Sequence, residues 1–182
     1  MSPARAEARP VAIVVGFMGA GKSSVGRVVA DLLGVDFRDS DLELETRAGR
    51  DIPEIFRTEG VDGFRSLERD VIVDAVTGFD GVVSLGGGAV TTTEVREVLR
   101  GLRVVYLRID PRQGYARVQG TDRPLLAVDD PETRYRELHD ERAALYEQVA
   151  TITIDAGSGD ADEVADAVIA CLADELAAQR KV

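Results

Sequence analysis

Short apolar runs punctuate the chain at Val11–Val15, Val35–Phe37, Val82–Leu85, Val104–Ile109 and Thr151–Ile154. Each reads as a buried strand of the kind found in a parallel sheet covered on both faces. Between them the period changes to that of a helix. Val25, Val28, Val29 and Leu32 recur at i, i+3, i+4 and i+7, which predicts an amphipathic helix directly after the first strand. Phe64, Leu67, Val71 and Ala75 keep one face of a second helix. Pro111 and Pro131 each follow an Asp, the pattern of an N-cap and a first-turn proline. A last helix is expected from about Asp162 to Ala178, with Val164, Val168, Cys171, Leu172 and Leu176 facing inward. Strands alternating with helices predict the α/β class: a parallel sheet covered on both faces, three layers in all. Gln119–Asp130 is polar at its start and carries Gly120 and Pro124 as breakers, so it reads as a mobile loop between two helices.

A length of 182 residues suits one domain with a sizeable core. Residues 1–10 read as a disordered lead-in and 11–178 as the folded unit. The lead-in has arginines but no apolar run behind it, so it is not a secretory signal. No run approaches the roughly 18–20 apolar residues of a membrane helix. Cys171 is the single cysteine, which excludes a disulfide framework and makes a reducing cytoplasm the expected location. The net charge of −11 argues against nucleic acid as a partner, since phosphate backbones need a basic surface. One nucleotide needs only a local cationic pocket. Lys22 and Lys181 are the only lysines in a chain that otherwise uses arginine, and Lys22 falls inside a glycine-rich loop.

That loop is Gly16-Phe17-Met18-Gly19-Ala20-Gly21-Lys22-Ser23, which fits G-x-x-x-x-G-K-[ST]. It follows an apolar strand and opens an amphipathic helix. Backbone N–H groups and the helix N-terminus there suit phosphate oxygens, which makes Gly19, Ala20, Gly21, Lys22, Ser23 and Ser24 the nucleotide-binding candidates. Lys22 is placed to reach the β- and γ-phosphates, and Ser23 to bind Mg²⁺. No N-K-x-D guanine signature is present, so ATP is the expected nucleotide. A magnesium-supporting acid is expected at the end of a neighbouring strand. The strand Val82–Leu85 ends in glycines, whereas Val35–Phe37 runs into Asp39-Ser40-Asp41. Asp39 is the candidate for the metal's water shell and Asp41 for accepting a hydrogen bond from an attacking hydroxyl. Ser40-Asp41-Leu42-Glu43 is also a capping box, so either acid could instead cap a helix.

Three arginines complete the candidate chemistry. Arg142 lies on the stripe of Tyr135, Leu138, Leu145 and Val149, an inward position where a cation needs an anionic partner. Arg65 follows Phe64, with Glu68 one turn on to hold it. Two fixed guanidiniums form a carboxylate clamp. Arg123, in the loop before Pro124, is placed to swing over phosphates. Gly86-Gly87-Gly88 ends a strand at the same edge, where bare backbone N–H groups can meet a polyhydroxylated ligand. These features describe a kinase with an anionic acceptor. They fit a gluconate kinase or a non-catalytic nucleotide-binding module as well.

Taken together, Gly16–Gly26, Asp39-Ser-Asp41, Phe64-Arg65, Ser84-Leu-Gly-Gly-Gly88, Arg123-Pro-Leu-Leu126 and Glu141-Arg142 with Leu145-Tyr146 resemble shikimate kinases, over roughly residues 11–176. The resemblance implies a P-loop, nucleoside-monophosphate-kinase-like fold with five parallel strands in the order 2-3-1-4-5. It also implies an acceptor-binding segment at about 40–70 and a lid at about 117–130. The implied reaction is transfer of the γ-phosphate of ATP to the 3-hydroxyl of shikimate, with Mg²⁺, on the route to aromatic amino acids. Lys22, Asp41 and Arg123 would be catalytic by this likeness. Asp41, Arg65, Gly86, Gly87, Gly88 and Arg142 would hold shikimate, Ser23 and Asp39 the metal, and Arg117 would stack near adenine. Asp155–Asp160 departs from the family in lacking an arginine or proline beside the base. Shikimate and ATP are the expected partners of a monomer, with no nucleic acid and no membrane.

Overall fold

A computed structural model describes residues 9–179; residues 1–8 of the expected lead-in and Lys181 lie outside it. The strands are β1 (Ala12–Gly16), β2 (Phe37–Asp39), β3 (Val82–Ser84), β4 (Val104–Arg108) and β5 (Ile152–Asp155). They form one five-stranded sheet in the order β2-β3-β1-β4-β5, every pair parallel. The helices are α1 (Lys22–Leu33), α2 (Ser40–Ala48), α3 (Ile52–Thr77), α4 (Thr93–Val98), α5 (Pro111–Val118), α6 (Pro131–Val149) and α7 (Ala161–Gln179).

Successive strand side chains feed opposite layers. Ile13, Val15, Val83, Val104 and Tyr106 enter a core shared with α3, α4 and α6. Ala12, Val14, Val82, Val105 and Leu107 enter a second core shared with α1 and α7. Because β1 lies between β3 and β4, the segments after β1, β2 and β3 leave the sheet side by side at its carboxyl edge. The phosphate-type loop, the two aspartates and the triple glycine are therefore neighbours in space.

Three expectations need correction. The second strand lies at Phe37–Asp39, downstream of the apolar run that suggests it. Ladder pairing places it there, with Phe37 opposite Val82 and Asp39 opposite Ser84, and an edge strand only half buried accepts Arg38 and Asp39. Leu32 does not share the buried face of α1; it is 56% exposed. Gly26 and Ala30 let α1 lie so close that a Cβ at Gly26 would sit 2.7 Å from Phe37. The buried stripe is accordingly Val25, Gly26, Val29 and Ala30, which turns Leu32 outward. Leu176 on α7 is likewise 40% exposed, in the last turns beyond the sheet.

The helix carrying Phe64 begins earlier than its apolar face suggests, at Ile52. It is broken at Gly60 (φ 70°, ψ −173°), a conformation open to glycine. Phe56 and Phe64 stack across the break with centroids 4.3 Å apart. The segment Gln119–Asp130 contains one tight turn of 3₁₀ helix, Pro124–Leu126, whose Leu126 reaches the core. Among the described residues no helix is long and apolar enough to cross a membrane.

Helix α6 is fixed to the phosphate-type loop from within the core. Tyr135, fully buried, donates from its hydroxyl to the Met18 carbonyl at 2.6 Å and meets Phe17 edge-on at 4.8 Å. Tyr135→Phe leaves that carbonyl without its partner. The expected loss is about 1 kcal/mol, a fall in Tm of about 2–4 °C for a domain of this size, checked by thermal denaturation. An unchanged Tm would mean that the hydroxyl contributes nothing to the tie.

Candidate active site

The loop after β1 reaches its shape through glycine. Gly19 (φ 84°) and Gly21 (φ 79°) occupy the left-handed region. A Cβ at Gly19 would also lie 2.5 Å from the Gly114 carbonyl, so the loop is pressed against α5. Helix α1 starts at Lys22 with no side-chain cap and no acid in its first turn. Its first N–H groups and the positive end of its dipole therefore face the groove with no protein acceptor competing for them. Lys22 Nζ donates to the Phe17 carbonyl at 3.3 Å. This groove, of about 510 Å³, is lined by Gly19, Gly21, Lys22, Ser23, Ser24, Asp39, Asp41, Arg117 and Arg123 among others.

Asp39 does two things at once. One carboxylate oxygen accepts from the backbone N–H groups of Asp41 (3.0 Å) and Leu42 (3.4 Å), capping α2. The other accepts from Ser23 Oγ at 2.5 Å. The S-x-x-E capping box is not formed as read, because the cap is Asp39 and Ser40 is already helical. Asp41 is consequently free of capping duty. Burial raises its carboxyl above the ordinary range and Asp39 adds to the rise, while Lys22 and Arg123 oppose it. Burial also lowers the Lys22 ammonium, opposed by the charge of Asp41 and reinforced by Arg123.

A second cavity, of about 240 Å³, opens beside the groove and shares Met18, Asp41, Glu45 and Arg123 with it. Arg65, Glu68, Arg142, Asp122 and Gly86–Gly88 line the rest of its polar side, with Ile52, Pro53, Phe56, Phe64, Pro124 and Leu125 on the apolar side. Arg65 is ion-paired to Glu68 at 2.5 Å. Glu68 is itself buried, which raises its carboxyl, and Arg65 partly offsets the rise. Arg142 is 6% exposed, lies over the Phe17 ring and donates to the Gly87 carbonyl at 3.3 Å. Burial lowers its guanidinium, and the charge of Arg65 lowers it further. Among the described residues neither Arg142 nor Arg123 has an ion-paired acid.

At two of the three glycines a side chain would strike a charged group. A Cβ at Gly86 would lie 2.5 Å from Asp41 Oδ1 and 2.7 Å from Glu68 Oε1. One at Gly87 would stand 3.8 Å from Lys22 Nζ, and one at Gly88 would overlap the Arg65 guanidinium. Gly86 and Gly88 are bare because charged groups of α2 and α3 occupy the space, whereas a Cβ at Gly87 would make only ordinary contacts. The backbone of the turn is also less available than expected. Gly86 N–H donates to Ser40 Oγ, and the Gly87 carbonyl accepts from Tyr146 as well as Arg142. Sequence reading names Tyr146 only within the resemblance and gives it no role; its signal is a tyrosine one turn beyond Arg142 on the same helix.

Arg117 bridges the phosphate-type loop and the turn after β5, donating to Gly19 O (3.1 Å) and Ala156 O (3.2 Å). His139, given no chemical role from sequence, packs edge-on against Phe17.

The family model for shikimate kinase matches residues 18–173 of this chain. A shikimate kinase of Mycobacterium avium (strain 104) is 50% identical over 147 residues, covering 80% of this chain and 84% of the relative. The structure of shikimate kinase from Acinetobacter baumannii in complex with shikimate superposes with a TM-score of 0.88 at 38% identity, over 92% of this chain and 94% of that one. Deoxyadenosine kinase from M. mycoides aligns over 90% of this chain and 98% of its own at a TM-score of 0.58 and 14% identity, a likeness of fold.

The electrostatics predict a coupled titration. The Asp41 carboxyl, followed by ¹³C NMR, is expected to titrate above the ordinary carboxylate range. Lys22→Met removes the charge that favours its ionised form and should move the midpoint higher still. A midpoint that stays put or falls in Lys22→Met would contradict this.

Proposed function

The chain belongs to the shikimate kinase family, and from that membership we propose a role for each group in the two cavities. The protein is an ATP-dependent kinase that phosphorylates shikimate. The product is shikimate 3-phosphate, with ADP as the leaving group. The observation that supports this reading best is the wall common to both cavities. Asp41 and Arg123 face the phosphate groove on one side and the arginine-lined cavity on the other.

In this reading the nucleotide phosphates lie on the N–H groups from Gly19 to Ser24, with Lys22 and Arg123 against the transferring group. Positioning and charge stabilisation supply most of the rate in such reactions. Arg65 and Arg142 hold the acceptor carboxylate. Arg65 is ion-paired to Glu68, whereas Arg142, over the Phe17 ring and donating to the neutral Gly87 carbonyl, has no ion-paired acid among the described residues. An anion placed between them removes their mutual repulsion, which gives a carboxylate more than the energy of one bidentate contact. Gly86–Gly88 form the floor on which the ring rests.

The 3-hydroxyl oxygen then forms a bond to the γ-phosphorus as the bond to the β–γ bridging oxygen breaks. Asp41 accepts the hydroxyl proton. Its burial makes it a better proton acceptor than a solvated aspartate, while the charge of Lys22 favours its ionised form. Residues about 40–70 serve as the acceptor-binding segment and about 117–130 as the lid that brings Arg123 over the phosphates. Arg117 flanks the adenine.

Mg²⁺ fits the pair Ser23 and Asp39. Their oxygens already meet, and the oxygen that bonds Ser23 is the one not spent on capping α2. Among the described residues no group of three or more His, Cys, Asp or Glu is placed to hold a metal. The protein would therefore contribute little beyond these two oxygens, directly or through water, as suits an ion that keeps much of its hydration. When bound, the ion neutralises phosphate charge. Asp39→Ala would remove the oxygen and the helix cap together.

An acceptor panel in a coupled ADP-release assay tests the reading. Turnover is expected with shikimate, and equal turnover with gluconate or a nucleoside monophosphate would defeat it. Lys22→Ala should lower kcat by about 10²-fold or more, as loss of a preorganised charge contact does. Arg142→Ala should raise the KM for shikimate by about tenfold or more while leaving that for ATP within about twofold, since it removes one partner of a desolvated charged contact.

A further inference from the structure

Ser40 stands between the two aspartates and none of the roles above uses it. It is nonetheless 1% exposed, although a serine in the first turn of a helix ordinarily turns its hydroxyl to water. A buried hydroxyl needs a partner. The partner is the backbone of another element: Gly86 N–H donates to Ser40 Oγ at 3.0 Å.

The ladder explains why the bond is there. Along the β2 side of β3, Val82 N–H donates to the Asp36 carbonyl at 2.9 Å. Four residues on in both strands, Gly86 N–H points toward position 40. There the chain has already turned into α2, so its backbone can no longer extend the ladder. The serine hydroxyl takes the place of the missing carbonyl. It carries strand pairing past the end of β2 and holds the start of the glycine turn against the α2 N-terminus. Gly86 has little tolerance, since a Cβ added there would lie 2.5 Å from Asp41 Oδ1 and 2.7 Å from Glu68 Oε1.

We propose that Ser40 is a positioning residue for phosphoryl transfer: its hydroxyl sets the distance between the Gly86–Gly88 floor of the acceptor cavity and the carboxylate of Asp41. The inference rests on the assignment of that cavity to shikimate. Ser40 touches neither substrate nor phosphate. Its effect passes through Gly86, so it should bear on the acceptor and leave the nucleotide groove alone.

Ser40→Ala and Ser40→Thr, in the full-length chain, test this. Ser40→Ala is expected to raise the KM for shikimate at least fivefold, with ADP affinity by calorimetry within twofold of the parent. The Gly86 amide, slow to exchange with deuterium in the parent, should exchange at least tenfold faster. Ser40→Thr keeps the hydroxyl and should restore slow exchange and most of the shikimate affinity. A shikimate KM within twofold of the parent in Ser40→Ala, with Gly86 exchange accelerated, would overturn the proposal. So would equal losses for shikimate and ADP, the mark of general destabilisation. If Ser40→Ala does not fold, Ser40→Thr and Ser40→Cys decide, being close to each other in bulk but differing in acceptor strength. The proposal then requires weaker shikimate binding in Cys than in Thr, and equal values would overturn it. Failure of the parent to phosphorylate shikimate at all would instead strike at the assignment of the cavity.

Discussion

Repulsion between cations held close together in a confined space is the constraint on which the rest of this site depends. In a chain with a net charge of −11, Lys22, Arg65, Arg123 and Arg142 converge on two adjoining cavities. Burial lowers both the Lys22 ammonium and the Arg142 guanidinium; Arg123 and Arg142 lower Lys22 further against the opposing charge of Asp41, and Arg65 lowers Arg142 further. Asp39, Asp41, Glu45, Glu68 and Asp122 line the same cavities and offset much of this charge, but among the described residues neither Arg123 nor Arg142 has an ion-paired acid. The bare N-terminus of α1 adds to the same imbalance. Glu68, buried at some cost, is tolerated because Arg65 pairs with it and offsets its charge.

The sheet makes that convergence possible without long loops. Parallel strands in the order β2-β3-β1 deliver three short segments to one edge. Helix α6 then closes the assembly from the side. Tyr135 holds the Met18 carbonyl and Tyr146 the Gly87 carbonyl, so the phosphate-type loop and the acceptor floor are referenced to one rigid element. Arg142 lies between these two attachments on the same helix.

Much of this is legible in the sequence, and the misses share a cause. Strands buried on both faces announce themselves as apolar runs, and the glycine-rich loop carries its own spacing. The second strand does not, because at the sheet edge pairing outweighs hydrophobicity and charged residues are admitted. Leu32 misleads because periodicity assumes equal approach along a helix, whereas Gly26 and Ala30 let one side come closer. Ser40-x-x-Glu43 reads as a local cap, but the cap is Asp39 and the serine bonds a residue 46 positions away. The glycine triplet points to bare backbone, while the space it leaves is taken by Asp41, Glu68 and Arg65. Long-range partners of single polar atoms have no local pattern, so no window of sequence reveals them.

The shared wall between the two cavities also bears on inhibition. Because Met18, Glu45, Asp41 and Arg123 border both spaces, a single molecule could thread past Asp41 with an acid group at one end and a polyphosphate mimic at the other. Such a compound would gain from being tethered, since its second half binds at the effective concentration set by a short linker. It would also have to be multiply anionic, and its grip would weaken as ionic strength rose. An uncharged ligand would be confined to the apolar flank of Ile52, Pro53, Phe56 and Phe64, where it could fill space but would leave Arg142 without a counter-ion.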